Sequence, residues 1–110
     1  MDVRGDKKDF LPIYENLLEG TIKNAVNDVI QGLKNDSMVG EHVKHEQIPD
    51  YYKQRHNVQV LYRVVLPQHW RLIYTFHTFV KGEKPKVLLL ELMDHNRYNK
   101  RFGYFKKRSD

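Results

Sequence analysis

The chain has no cysteine among its 110 residues, which excludes disulfides, thiolate catalysis and cysteine-ligated zinc and agrees with a reducing interior. Long hydrophobic runs are also missing: no stretch approaches the ~20 apolar residues of a membrane-spanning helix. The polar, acidic start MDVRGDKKD lacks the apolar segment of a signal peptide. A cytoplasmic chain with no membrane contact is therefore expected. Metal ligands are scarce as well. His42 and His45 can share a helical face, but no third ligand stands at a convincing spacing, so both are read as surface residues and neither a metal nor another cofactor is expected.

What is scarce after residue 36 is acid. Residues 1–36 hold five Lys/Arg against seven Asp/Glu, whereas residues 37–110 hold fourteen against seven, so the net charge of +5 belongs to the second part. Residues 95–108 carry six Lys/Arg and no acid. Such an asymmetry points to an anionic partner, with nucleic acid first among the candidates. A solvated basic tail that aids solubility is the plainer alternative.

With 40% hydrophobic and 12% aromatic residues the composition is globular, and the length suits one domain with a single sheet and a helical layer. DFLPIYENLLEG reads as a short helix, with Pro12 in its first turn and Gly20 as its stop. In TIKNAVNDVIQGLKN, capped by Thr21, the residues Ile22, Val26, Val29, Ile30 and Leu33 form one helical stripe, and the two helices are expected to pair as a hairpin. Residues 35–57 read as a loop with a turn or two of helix around IPDYYKQ. Three strands follow, over residues 58–65, 69–80 and 86–93, joined by LPQH and KGEKPK. The expected architecture is α+β: an N-terminal helical hairpin on one face of a small antiparallel β-sheet, the other face left open, with residues 1–8 and 106–110 loose.

Strand alternation puts Trp70, Leu72, Tyr74 and Phe76 on one side and Arg71, Ile73, Thr75 and His77 on the other. Trp70, Tyr74, Leu33 and Val29 are expected in the core. Arg71 then lies mid-strand on the less apolar face, and Arg63 sits among apolar neighbours. An ion pair, for example Arg71 with Glu91, would explain such an arginine structurally. A four-residue turn would put Arg63 opposite Leu72, away from Arg71; an odd-length turn or a bulge near Pro67 would bring the two arginines together. Both registers stay open.

The succession LYRVVLPQHWRLIYTF followed by VLLLELMDHNRYNKRFGY resembles the RelE/ParE toxin superfamily. It is most similar to archaeal-type members with an LP-x-x-WR-x-x-Y strand and an H-x-x-Y-x-x-x-FGY tail. The resemblance covers roughly residues 9–105 and implies a toxin of a type II toxin–antitoxin pair, inhibited by a cognate antitoxin. RelE-type members are ribosome-dependent, metal-independent endoribonucleases that cleave mRNA, whereas ParE-type members are non-enzymatic inhibitors of gyrase. A degenerate member that only binds antitoxin or nucleic acid is a third possibility.

The resemblance assigns Arg71, His95, Tyr98 and Arg63 to the catalytic site. Histidine suits proton transfer near neutrality, and the planar guanidinium of arginine suits a phosphate. A histidine at a strand end bonded only to backbone is the bland reading of His95. Tyr98 is expected to stack a base, or else to share a proton relay; the plainer alternative is that it simply packs, as Phe102, Tyr104 and Phe105 are expected to. Arg97, Lys100, Arg101, Tyr104, Lys106 and Lys107, with Arg108, are the expected RNA contacts.

Overall fold

The fold follows from the apolar run KVLLLELM, which forms strand β5 (Lys86–Met93) with a neighbour on each edge and a helical layer on each face. A strand enclosed on both faces needs apolar residues throughout rather than every second one. The chain is described in a computed structural model over residues 1–77 and 81–103. Strands β1 (Val3–Gly5), β2 (Glu41–His42), β3 (Tyr62–Val65) and β4 (Arg71–His77) complete a five-stranded sheet in the order β1-β5-β4-β3-β2. The domain is α+β, as expected, but the sheet is mixed: β1 runs parallel to β5, and the other pairings are antiparallel. The first residues, expected to lie loose, thus pair in the sheet, from Val3 opposite Val87 to Gly5 opposite Leu89. The third strand has the expected bounds, while the first is shorter and the second is described as far as His77; residues 78–80 lie outside the described residues.

Helices α1 (Leu11–Glu15) and α2 (Thr21–Lys34) cover one face. The first is shorter than DFLPIYENLLEG suggests, so α2 supplies most of this layer. Its stripe is the expected one. Val26 and Leu33 are buried against Phe10, Leu72, Tyr74, Val87, Leu89 and Leu92, while Ile22, Val29 and Ile30 are partly buried at the margin. Of the four expected core residues, Tyr74 and Leu33 are fully buried and Val29 and Trp70 half-buried, because Trp70 ends the β3–β4 turn rather than lying within β4.

The second face is not open. Helix α3 (Asp50–His56), which falls where IPDYYKQ suggests, and helix α4 (His95–Phe102) cover it. They enclose Val43, Ile48, Tyr52, Leu61, Ile73, Leu90, Met93 and Tyr98. The local sequence explains α4: Asp94 caps its start by accepting a hydrogen bond from Arg97 N at 2.9 Å, and Gly103 ends it in the left-handed region at φ 74°. His42 and His45 are both exposed. Among the described residues no helix is long and apolar enough to cross a membrane, and no three His, Asp or Glu side chains gather as metal ligands.

Candidate functional site

Five residues, Leu66 to Trp70, separate Val65 from its partner Arg71. They form a turn in which Leu66 N donates to Trp70 O at 2.9 Å, with Gln68 and His69 both left-handed at φ 59° and 64°. An odd count sets the parity of the hairpin. Arg63 falls opposite Ile73 and Val65 opposite Arg71, so both arginines lie on the face covered by α3 and α4.

A second irregularity completes that face. Between β4 and β5 the register shifts, with Ile73 opposite Glu91 but Tyr74 opposite Leu89, leaving Leu90 as a bulge. The extra residue reverses the alternation beyond it and turns Glu91 and Met93 toward α4. Glu91, 2% exposed, accepts hydrogen bonds from Tyr52 Oη (2.6 Å), Arg101 Nε (2.9 Å) and Arg101 Nη2 (3.1 Å), and Arg97 Nε lies 3.5 Å away. A buried carboxylate requires such partners. Burial opposes the charge of Arg101, but the hydrogen bond and attraction of Glu91 outweigh it and raise the guanidinium above its usual range. Burial, then the Glu91 charge and hydrogen bond, push the Tyr52 phenol well up.

This network holds α4 over the arginines. Tyr98, 5% exposed, packs on Phe102 at 4.7 Å between ring centroids, and its hydroxyl accepts from Arg63 Nη1 at 2.5 Å. The Arg71 guanidinium lies 5.0 Å from the Tyr98 ring centroid and donates through Nη1 to Trp70 O at 3.0 Å. Arg63 also donates through Nε to Glu41 at 2.8 Å. Gly40, at φ 89°, permits that pairing, since a Cβ there would stand 2.5 Å from Arg63 O. Arg71 has no carboxylate partner among the described residues, and the pairing with Glu91 suggested for it is made by Arg101 instead.

His95 is the first residue of α4 rather than the end of a strand, and it is exposed. Its Nε2 lies 3.1 Å from Asn99 Nδ2, one helical turn on, and its ring centroid lies 5.4 Å from that of His69. The fold therefore gathers Arg63, Arg71 and Tyr98 in contact, with His95 at the start of the same helix. Tyr98 is placed as a support: Phe102 and the arginines occupy its surroundings and leave little surface for the expected stacking on a base. Arg101 is likewise turned inward, its guanidinium 3.6 Å from the Tyr51 ring centroid and bonded to Glu91, so it does not present a free phosphate contact. Arg97 and Lys100 are exposed. Tyr104, Lys106, Lys107 and Arg108 lie outside the described residues.

Two neighbours of the site, His69 and Asn99, occupy unspecified places in the motifs that drew attention to Arg71 and His95. Only the helical i, i+4 spacing of Asn99 from His95 could have signalled one of them. The chain matches no family model, no curated protein and no solved structure.

Proposed function

We propose that this chain is a RelE-like toxin of a type II toxin–antitoxin pair: a cytoplasmic, metal-independent endoribonuclease that cleaves mRNA on the ribosome and is held inactive by a cognate antitoxin. The observation that carries the reading is the five-residue β3–β4 turn, which puts Arg63 and Arg71 on one face beside Tyr98, under the helix that begins with His95. The α+β frame and the motif LP-x-x-WR-x-x-Y agree with it.

RNA carries its own nucleophile. The 2′-oxygen loses its proton and bonds to the adjacent phosphorus, the bond from phosphorus to the 5′-oxygen breaks, and that oxygen takes up a proton. The products are a 2′,3′-cyclic phosphate and a 5′-hydroxyl. His95, exposed at the start of α4, serves proton transfer. Arg71, without a carboxylate partner among the described residues, stabilises the charge that builds on the phosphate. Arg63, already shared between Glu41 and the Tyr98 hydroxyl, adds positive potential and orders Tyr98. Arg97 and Lys100 are placed to meet the RNA backbone.

The test is to add the purified chain to a translating extract and map the ends of the message. Cleavage yielding 2′,3′-cyclic phosphate or 3′-phosphate ends is expected, and it should survive chelation of catalytic metals under conditions that keep the ribosome intact. A folded His95→Ala, Arg71→Ala double variant that cleaves at the parent rate would sink the site. Intact message together with inhibited gyrase would transfer the chain to the ParE-like alternative.

A further inference from the structure

The second histidine of the site is assigned no part in the reading above. Two requirements of the reaction fall on different oxygens: one proton leaves the 2′-hydroxyl and another must reach the 5′-oxygen on the opposite side of phosphorus. A single imidazole at one side of the phosphate is poorly placed for both. His69 and His95 are both exposed, and their ring centroids are 5.4 Å apart, a separation on the scale of one phosphate group. They reach this arrangement from different elements, His69 from the β3–β4 turn and His95 from the first turn of α4.

The backbone at His69 also argues for a specific placement. Gln68 and His69 both occupy the left-handed region, which costs a side-chain-bearing residue conformational energy. Asparagine or glycine would fit there with less strain. The same turn delivers Arg71 two residues later. On α4, the Asn99 side-chain amide stands 3.1 Å from His95 Nε2 and orients the ring; with the amide turned so that its oxygen accepts from Nε2–H, Nδ1 is left for proton exchange. The charged groups on or beside the elements that carry the pair are Arg71 on β4, Asp94 at the cap of α4, and Arg97, Lys100 and Arg101 on α4, the last turned inward onto Glu91.

We propose that His69 is the second proton-transfer group of this site, dividing the proton work of RNA cleavage with His95, while Asn99 positions the His95 ring. One imidazole accepts the proton of the 2′-hydroxyl as its oxygen bonds to phosphorus, and the other, protonated, gives its proton to the departing 5′-oxygen. This assignment rests on the endoribonuclease reading.

The experiment is single-turnover cleavage on programmed ribosomes across pH, using the parent chain, His69→Asn and His95→Asn. Asparagine removes the titrating ring but accepts the left-handed backbone, so the turn should persist. The parent should show a bell-shaped profile. His69→Asn should lose on the order of 10²-fold in rate and one limb of that bell, and His95→Asn the other limb. A His69→Gly variant, which also accommodates the turn, should regain cleavage on addition of free imidazole. If the parent cleaves but His69→Asn keeps its rate, or loses rate equally at every pH, the pairing is overturned and the endoribonuclease reading stands. A parent that cleaves no message overturns both.

Discussion

On one face of the sheet, α1 and α2 meet Leu72, Tyr74, Val87, Leu89 and Leu92, and the Tyr74 hydroxyl donates to Val39 O at 2.6 Å. On the other, α3 and α4 meet Ile73, Leu90 and Met93 but also enclose Glu91 with Tyr52 and Arg101. Beside them Asp6 and Asp9 lie buried against Arg55, and Tyr51 donates to Asp9. Apart from the Tyr74 hydrogen bond, the first face is held by apolar contacts without direction, which tolerate small shifts. The second is held by charged groups whose geometry is demanding. Burying them brings less stability than hydrocarbon would, and breaking a pair is expensive. In return the network fixes where α4 sits, and therefore where Tyr98 and His95 stand relative to Arg63 and Arg71.

The sharpest test of that contrast is Glu91→Ala. It strands Arg101 and the Tyr52 hydroxyl, and the cost expected from denaturant unfolding is about 3–5 kcal/mol. Because α4 loses its anchor, activity per folded molecule should fall too. Leu72→Ala on the opposite face should cost roughly 2–4 kcal/mol through the cavity it leaves, yet the folded fraction should cleave at the parent rate. Equal effects of the two on cleavage would erase the distinction between the faces.

Next in size is Arg71→Lys, which keeps the charge but loses the planar fork. A rate loss on the order of tenfold or more is expected, with the thermal midpoint nearly unchanged, since Arg71 has no ion-pair partner among the described residues. A large fall in the midpoint would make Arg71 a structural residue.

Acid should weaken the fold through the margin of the second face. Burial depresses the His56 imidazole below its ordinary 6.5 despite Asp6 Oδ1 at 3.6 Å, and Nε2 has no hydrogen-bond partner among the described residues. The neutral ring is thus the form the fold prefers. Its contribution is complete above pH 6.5 and declines as pH falls from there toward the depressed folded value. Burial opposes the charge of Asp6, but hydrogen bonds from Asp9 N and Lys8 N, with Arg55, outweigh it and hold the carboxyl below 3.8. Its contribution is present above 3.8 and is lost as pH falls through the folded value. Unfolding free energy measured against pH should therefore fall in two stages. His56→Gln should flatten the upper one and Asp6→Asn the lower. The smallest effect is expected for Tyr98→Phe, which removes one hydroxyl from Arg63 at a cost of about 1 kcal/mol. A cleavage defect as large as that of Arg71→Lys would give the hydroxyl a proton-transfer role instead of a supporting one.

Local pattern was enough for the elements whose cause is local. The apolar run of β5, the stripe of α2, the short helix after Pro49 and the turn opened by Leu66-Pro67 are all legible, because hydrophobic period and chain punctuation act within a few residues. The site was legible as residue types: Arg71, His95 and Tyr98 stand out wherever they fall. Their arrangement was not. A turn of five residues rather than four decides the side on which Arg63 lies, and one bulged residue, Leu90, decides that Glu91 faces α4. Side-chain direction in a strand has period two, so a single residue reverses it, and nothing in residues 66–70 or in KVLLLELM alone specifies that count. The parallel pairing of Val3–Gly5 with β5, the closing of the second face by α3 and α4, and the inward turn of Arg101 onto Glu91 join parts of the chain distant in sequence. Tertiary packing alone decided them, because their energy arises only when those distant groups leave water together.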